Sequence, residues 1–178
     1  MIEYVRTILT GQFEAALCML DQCLRACPVE QWEGKVANGT FRWVAYHTLF
    51  WVDVYLSPGD EQDFVLRDFH HRGGDEREDR VCPGLEKDEA LAYLSICRQK
   101  MLETLAAETA ESIQGPSGFS YRRITRGELH IYNLRHVQHH TGQLSAYLRR
   151  VDPSIGHGAL PWVGSGWRAP RVTEHGAS

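Results

Sequence analysis

Four stretches of this chain repeat their apolar residues every three or four positions, and each is bounded by residues that stop or start helices. Val5, Ile8, Leu9, Phe13, Ala16, Leu17, Leu20 and Leu24 fall on one face of a helix over residues 2–26, and Pro28 follows as a stop. Thr40 can cap a second helix running to about Leu56, where Ser57-Pro58-Gly59 ends it. A third begins near Lys87 or Asp88 and carries Leu91, Leu94, Ile96, Met101, Leu102 and Leu105 toward about Ile113. Thr125 and Glu128 have capping-box spacing for a fourth, which runs to about Val151 before Pro153. No strand alternation of comparable length competes with these periods, although Phe119 to Ile124 could be extended. The expectation is an all-α four-helix bundle over residues 1–153, followed by an irregular tail over 154–178 that packs on the bundle or trails from it.

The connections are uneven. Residues 29–39 read as a loop. Residues 57–86 are polar and turn-rich, with Gly73-Gly74 and the charge run Asp75 to Arg80, and a short helix around Gln62 to Phe69 fits within them. So long a link permits a topology other than simple up-down-up-down.

Composition narrows the functional classes. The 178 residues carry a formal net charge of -4, which argues against a nucleic-acid binder with its basic face. No apolar run approaches the roughly 20 residues of a membrane-spanning helix. The N-terminal stretch has Glu3 early and does not read as a secretory signal. With five cysteines and no Cys-x-x-Cys pair, a reducing cytoplasm is the expected compartment.

The informative segment is Arg135-His136-Val137-Gln138-His139-His140-Thr141-Gly142-Gln143. His136 and His140 stand one turn apart on the stripe shared by Leu129, Tyr132, Asn133, Gln143, Leu144 and Tyr147, so both rings should point into the bundle. His139 lies to the side. On the second helix His47 sits among Trp43, Val44, Phe50, Trp51 and Val54. Inward imidazoles need partners, because an unpaired buried polar group costs a few kcal/mol. One reading is a single Zn²⁺, Ni²⁺ or Fe²⁺ held by all three, with a coordination position left open. The other is a metal-free core in which the histidines bond to Asn133, Gln143, Tyr132 and each other. Cys23 and Cys27, at helical spacing, could join a metal site or fill the core as small hydrophobes.

Other motifs are missing. Val137 stands where a His-Glu-x-x-His peptidase needs glutamate, there is no Glu-x-x-His pair for a carboxylate-bridged di-iron site, and there is no phosphate-binding Gly-rich loop or Gly-x-Ser-x-Gly elbow.

The run His136-Val137-Gln138-His139-His140-Thr141-Gly142-Gln143-Leu144, followed by Tyr147-Leu148-Arg149, resembles the last core helix of the bacterial DinB-like (DinB/YfiT) superfamily. Trp43 and His47 resemble the tryptophan and histidine of its second helix, and the resemblance covers roughly residues 1–150. It implies a four-helix bundle, often a homodimer, with a divalent metal on His47, His136 and His140. Characterised relatives include thiol-dependent S-transferases and isomerases. The resemblance therefore implies a small-molecule substrate, with a low-molecular-weight thiol as a candidate, and a transferase or hydrolase type of reaction. Trp43, Asn133 and Gln143 are the candidate substrate contacts; Asp53 and Tyr46 are further candidates behind the ligands. Arg122, Arg123 and Arg126 could attract a carboxylate-bearing thiol, or form a solvated surface. The alternative to an enzyme is a metal-stabilised binding or dimerisation module.

Overall fold

The computed structural model of the protein describes residues 1–36, 39–70, 84–156 and 160–168. Its helices are α1 (Ile2–Ala26), α2 (Phe41–Leu56), α3 (Lys87–Ala107), α4 (Ala110–Gln114), α5 (Arg126–Val151) and α6 (Pro153–Gly156). The four long helices α1, α2, α3 and α5 form an all-α bundle. The Thr40 hydroxyl accepts from the Trp43 N–H to start α2, and reciprocal capping boxes start α3 (Glu86 with Glu89) and α5 (Thr125 with Glu128).

Both α1 and α2 lie against α3 and α5, so α1 and α2 occupy opposite corners. The direction of each helix follows from its cross-links. Glu14 pairs with Arg98 and Arg6 reaches the Glu108 carbonyl, so α1 and α3 are antiparallel. Cys97 faces Leu49 and Lys100 faces Asp53, so α2 and α3 are parallel. Asn133 meets Val52, and the later His136 meets the earlier His47, so α2 and α5 are antiparallel. The chain order is therefore up, down, down, up. The long connection expected over 57–86 is what lets two consecutive helices run parallel, because it must return the chain along the length of the bundle. Phe13, Leu17, Leu49, Leu94, Met101 and Leu144 are among the residues with no more than 1% exposure at the centre, each contributing about 1.5–3 kcal/mol by leaving water.

Several local expectations are corrected. The third helix does not continue to Ile113: it stops at Ala107, and Thr109 and Ser112 cap the separate α4. Glu108 takes an extended conformation between them (φ -61°, ψ 140°) and turns its carboxylate inward to Arg126 and His130. The loop over 29–39 contains a two-stranded ladder, β1 (Lys35–Val36) against β2 (Gly39–Thr40), too short for any alternation to be read. Within 62–69 there is no α-helix, only a 3₁₀ turn at Glu61–Asp63 and a further turn closed by the His70 N–H on the Arg67 carbonyl. Residues 119–124 form turns, with one isolated bridge between Pro116 and Thr125. Gly73-Gly74, the charge run 75–80 and Cys82 lie outside the described residues.

The tail returns to α1. Val163 is buried against Ala15 and Cys18, the Gly166 N–H donates to the Gly11 carbonyl at 2.8 Å, and Arg98 lies over the Trp167 ring. Among the described residues no helix is long and apolar enough to cross a membrane.

Candidate metal centre

The antiparallel contact of α2 and α5 brings His47 between His136 and His140. Their ring centroids are 5.3 Å (His47–His136), 4.9 Å (His47–His140) and 4.5 Å (His136–His140) apart. One nitrogen from each lies within 4.8 Å of the others. The His47 and His136 Nε2 atoms are 3.4 Å apart, close to the separation of about 3.4 Å between two nitrogens bound tetrahedrally to one zinc ion. Among the described residues this is the one cluster of three or more His, Cys, Asp or Glu side chains with that convergence, and it contains no fourth member. The cluster is compatible with metal binding.

Some bonds of the second reading, a metal-free network, are present: His136 meets His47 and His140 meets Gln143. His140 Nδ1 is 2.8 Å from Gln143 Oε1, an atom that can only accept, so Nδ1 carries the proton and the Nε2 lone pair is free. The amide of the same Gln143 donates to His139 Nε2 at 3.3 Å. Gln143 thereby fixes two rings at once, and it ties His139 away from the cluster. His136 has its pKa pushed down to about 2, by burial first and then by His140, His47, His139 and Arg122. Burial also lowers His140, against the hydrogen bond to Gln143. Both imidazoles are thus held neutral, the form that ligates.

The expectation that these rings lie in the bundle interior is modified. All three are half-buried, in the groove between α2 and α5. Beside them is a cleft of about 550 Å³ lined by Tyr132, Arg135, His136, Gln138 and His139. Trp43 stacks on His47 with centroids 5.0 Å apart. Gly39 makes that placement possible, since a Cβ there would come within 2.4 Å of the Trp43 ring. Tyr55 meets His136 edge-on at 6.2 Å.

The remaining candidates divide. Asn133 is fully buried one turn before His136. Its Nδ2 donates weakly to the Val52 carbonyl at 3.4 Å, and its Oδ1 has no partner among the described residues. Asp53 does not face the histidines: it points to α3, paired with Lys100 and Arg67 and accepting from the Tyr93 hydroxyl at 3.0 Å. Burial opposes its ionisation, but hydrogen bonds from Lys100 and Arg67 hold its pKa below the usual range. Tyr46 packs on Phe50 and His70. Cys23 on α1 and Cys27 just past its end are buried and outside the histidine cluster, their pKa values pushed up to about 12 by burial.

The arginines are not a common solvated patch. Arg123 is exposed. Arg126 is buried, paired with Glu108 and donating to the carbonyls of Tyr55, Leu56 and Ser57 at the end of α2. Arg122 lies 4.0 Å over the Tyr132 ring and donates to the Tyr55 and Tyr132 hydroxyls. No spacing rule could assign Arg122 to this place, because its tyrosines come from two helices that meet only in the fold.

These pKa shifts carry a pH dependence. Below about pH 6.5 the unfolded chain protonates histidines that the folded chain keeps neutral, so protons favour the unfolded state. Stability of the metal-free protein is therefore expected to fall as pH drops from about 6.5 toward the His136 value of about 2. Urea midpoints at pH 7.5 and 5.5 check this; a flat profile, with the same midpoint at both, would contradict the neutral-imidazole assignment.

The family model for the DinB superfamily matches residues 12–144 of the chain. Neither a curated protein nor a solved structure matches significantly. The match takes in all of α2 and α3 and every histidine of the cluster, and the chain belongs to the DinB superfamily.

Proposed function

We propose that His47, His136 and His140 hold one divalent metal ion, zinc, nickel or iron, and that the site is the centre of a metal-dependent enzyme acting on a small molecule. The observation that carries this reading is the three-membered cluster itself: three imidazoles converge with no fourth protein ligand beside them among the described residues. A closed structural site normally uses four protein ligands, whereas catalytic sites keep a position open. When bound, such a metal supplies Lewis-acid chemistry or lowers the pKa of a water or thiol. The chain's own residues do the rest. Gln143 sets the tautomer of His140, Trp43 braces His47, and the cleft beside His136 gives a small molecule access.

The reaction type we favour is thiol-dependent transfer, with hydrolysis second, in the reducing cytoplasm where low-molecular-weight thiols are plentiful. Arg122, held by Tyr55 and Tyr132 near His136, and Arg135 at the cleft give the site a positive rim suited to a carboxylate-bearing thiol. Protein purified without a tag or chelator is expected to carry about one metal ion per chain, and to consume glutathione or cysteine with an electrophile only when loaded. A loaded protein inactive with every thiol and ester offered would instead support the non-catalytic binding module.

Gln143 tests the ligand geometry separately. Gln143→Leu frees both rings it orients, and metal affinity is expected to fall about 10–100-fold, the usual cost of losing a residue that orients a ligand. Competition with a chromogenic chelator measures it, and an unchanged affinity would remove Gln143 from the centre.

A further inference from the structure

The two α5 histidines of the cluster are unequally supported. A histidine that ligates a metal through one ring nitrogen donates the proton on the other to an acceptor, which fixes its tautomer and orientation. His140 has that acceptor in Gln143 Oε1, 2.8 Å from its Nδ1 and three residues along the helix. His136 turns Nε2 toward His47, and its Nδ1 is buried with no hydrogen-bond partner among the described residues. With Nε2 given to a metal, Nδ1 carries the single proton of the neutral ring, so the orphaned atom is a donor.

The acceptor it lacks stands one turn back. Asn133 is fully buried, and its Oδ1 is the complementary case, an acceptor with no donor among the described residues. Residues three apart are neighbours on a helix, and helical side chains lean toward the N-terminus, which carries the His136 ring back over the turn that holds Asn133. Neither atom is open to solvent, so each has to be answered from inside the protein, where unpaired polar groups are rare and costly. His130, three residues before Asn133, cannot answer Oδ1. Burial keeps its ring neutral, Nε2 gives the one proton to the Glu108 carboxylate, and Nδ1 is left as a second acceptor. The Asn133 amide is also loosely tied. Its bond to the Val52 carbonyl, at 3.4 Å, lies beyond the usual N–H···O range, so turning it costs little.

We propose that Asn133 is a positioning residue of the centre. Its Oδ1 accepts the Nδ1 proton of His136 and locks that ring in the tautomer whose Nε2 lone pair faces His47. Asn133 thus does for His136 what Gln143 does for His140. The inference rests on the reading of His136 as a metal ligand, and it moves Asn133 from substrate contact to support of a ligand.

Long-range ¹H–¹⁵N spectra of the full-length protein with ¹⁵N-labelled histidine read the tautomer of each ring, and competition with a chromogenic chelator reads zinc affinity. Zinc-loaded wild type is expected to show both His136 and His140 protonated at Nδ1. Asn133→Leu, close in volume and unable to accept, is expected to bind zinc about 10–100-fold more weakly. Before loading it should lose the fixed tautomer at His136 and keep that of His140. Asn133→Asp, which retains the acceptor, should hold zinc at least as tightly as wild type and move the His136 Nδ1 proton resonance. An asparagine that only filled space would disturb both rings, or lose affinity in both variants, and either result overturns the proposal. So does unchanged affinity in Asn133→Leu. Should Asn133→Leu not fold, a His136 Nδ1 proton unmoved between wild type and Asn133→Asp overturns it alone. Wild type that takes up no zinc overturns the metal reading, and this inference with it.

Discussion

Alanine at His47, at His136 or at His140 is expected to reduce metal content from about one equivalent per chain to background, while His139→Ala retains it. The asymmetry is the useful part. All four histidines lie within one helical turn or one helix contact of each other, and His139 and His140 have ring centroids only 5.0 Å apart. Proximity alone would therefore predict four similar losses. What separates them is hydrogen bonding: His139 is exposed and spends Nε2 on the Gln143 amide, whereas His140 spends Nδ1 on Gln143 and has its ring 4.9 Å from that of His47. Losing a residue that merely orients a ligand costs about 10–100-fold in affinity, and losing one of three ligands must cost more. Metal analysis of the four variants, purified alike, decides the matter. Equal loss in His139→Ala would mean that the wrong nitrogens have been assigned, and a wild-type protein that never retains metal would return the cluster to a hydrogen-bonded network.

Arg126→Ala is expected to be the most damaging single change to stability, at about 3–5 kcal/mol, the cost of breaking a buried ion pair from one side. Four acceptors each lose a donor together: the Glu108 carboxylate and the carbonyls of Tyr55, Leu56 and Ser57, of which only Glu108 and Leu56 keep another, from Ser112 and His130 and from the Thr104 hydroxyl. Those carbonyls are the free acceptors that every helix C-terminus leaves, and here they are covered by protein rather than water. Glu108 would remain buried beside His130. Its own burial disfavours the charge, which is held by Ser112, Arg126 and His130 together. Against a total stability of about 5–15 kcal/mol, the loss corresponds to a melting temperature lower by roughly 6–20 °C for a chain of this size. Arg123→Ala, which removes one charge from an exposed position three residues earlier, is the control and should stay within about 0.5 kcal/mol of wild type. A loss below about 1 kcal/mol in Arg126→Ala would show that water can replace the guanidinium at the end of α2.

The bundle and its helix boundaries were legible because they depend on local patterning. Apolar period, Pro28, Pro153 and the Thr40 and Thr125 caps act within a turn of where they stand. The break at Glu108 was not legible, because the helical pattern runs on through Ile113 and what ends the helix is a carboxylate drawn toward Arg126 and His130, residues 18 and 22 positions away. The same distinction holds at the site. His136 and His140 share a stripe that can be counted, and His47 stands out as the one histidine on an aromatic helix. The inward role of Asp53 and the clamping of Arg122 by tyrosines depend on which helices become neighbours, which spacing along one helix does not determine. The family resemblance gave that adjacency for His47 only.

The antiparallel seam between α2 and α5 has one further implication. His47 and His136 are 89 residues apart in the chain, so an ion coordinated by both acts as a reversible staple between the N-terminal and C-terminal halves of the molecule. An ion bound only by the folded form leaves the unfolded ensemble unlinked and adds RT ln(1 + [M]/Kd) to the stability of the folded one. Heat resistance in this protein would then report the free concentration of the ion around it, making the fold itself a gauge of metal supply.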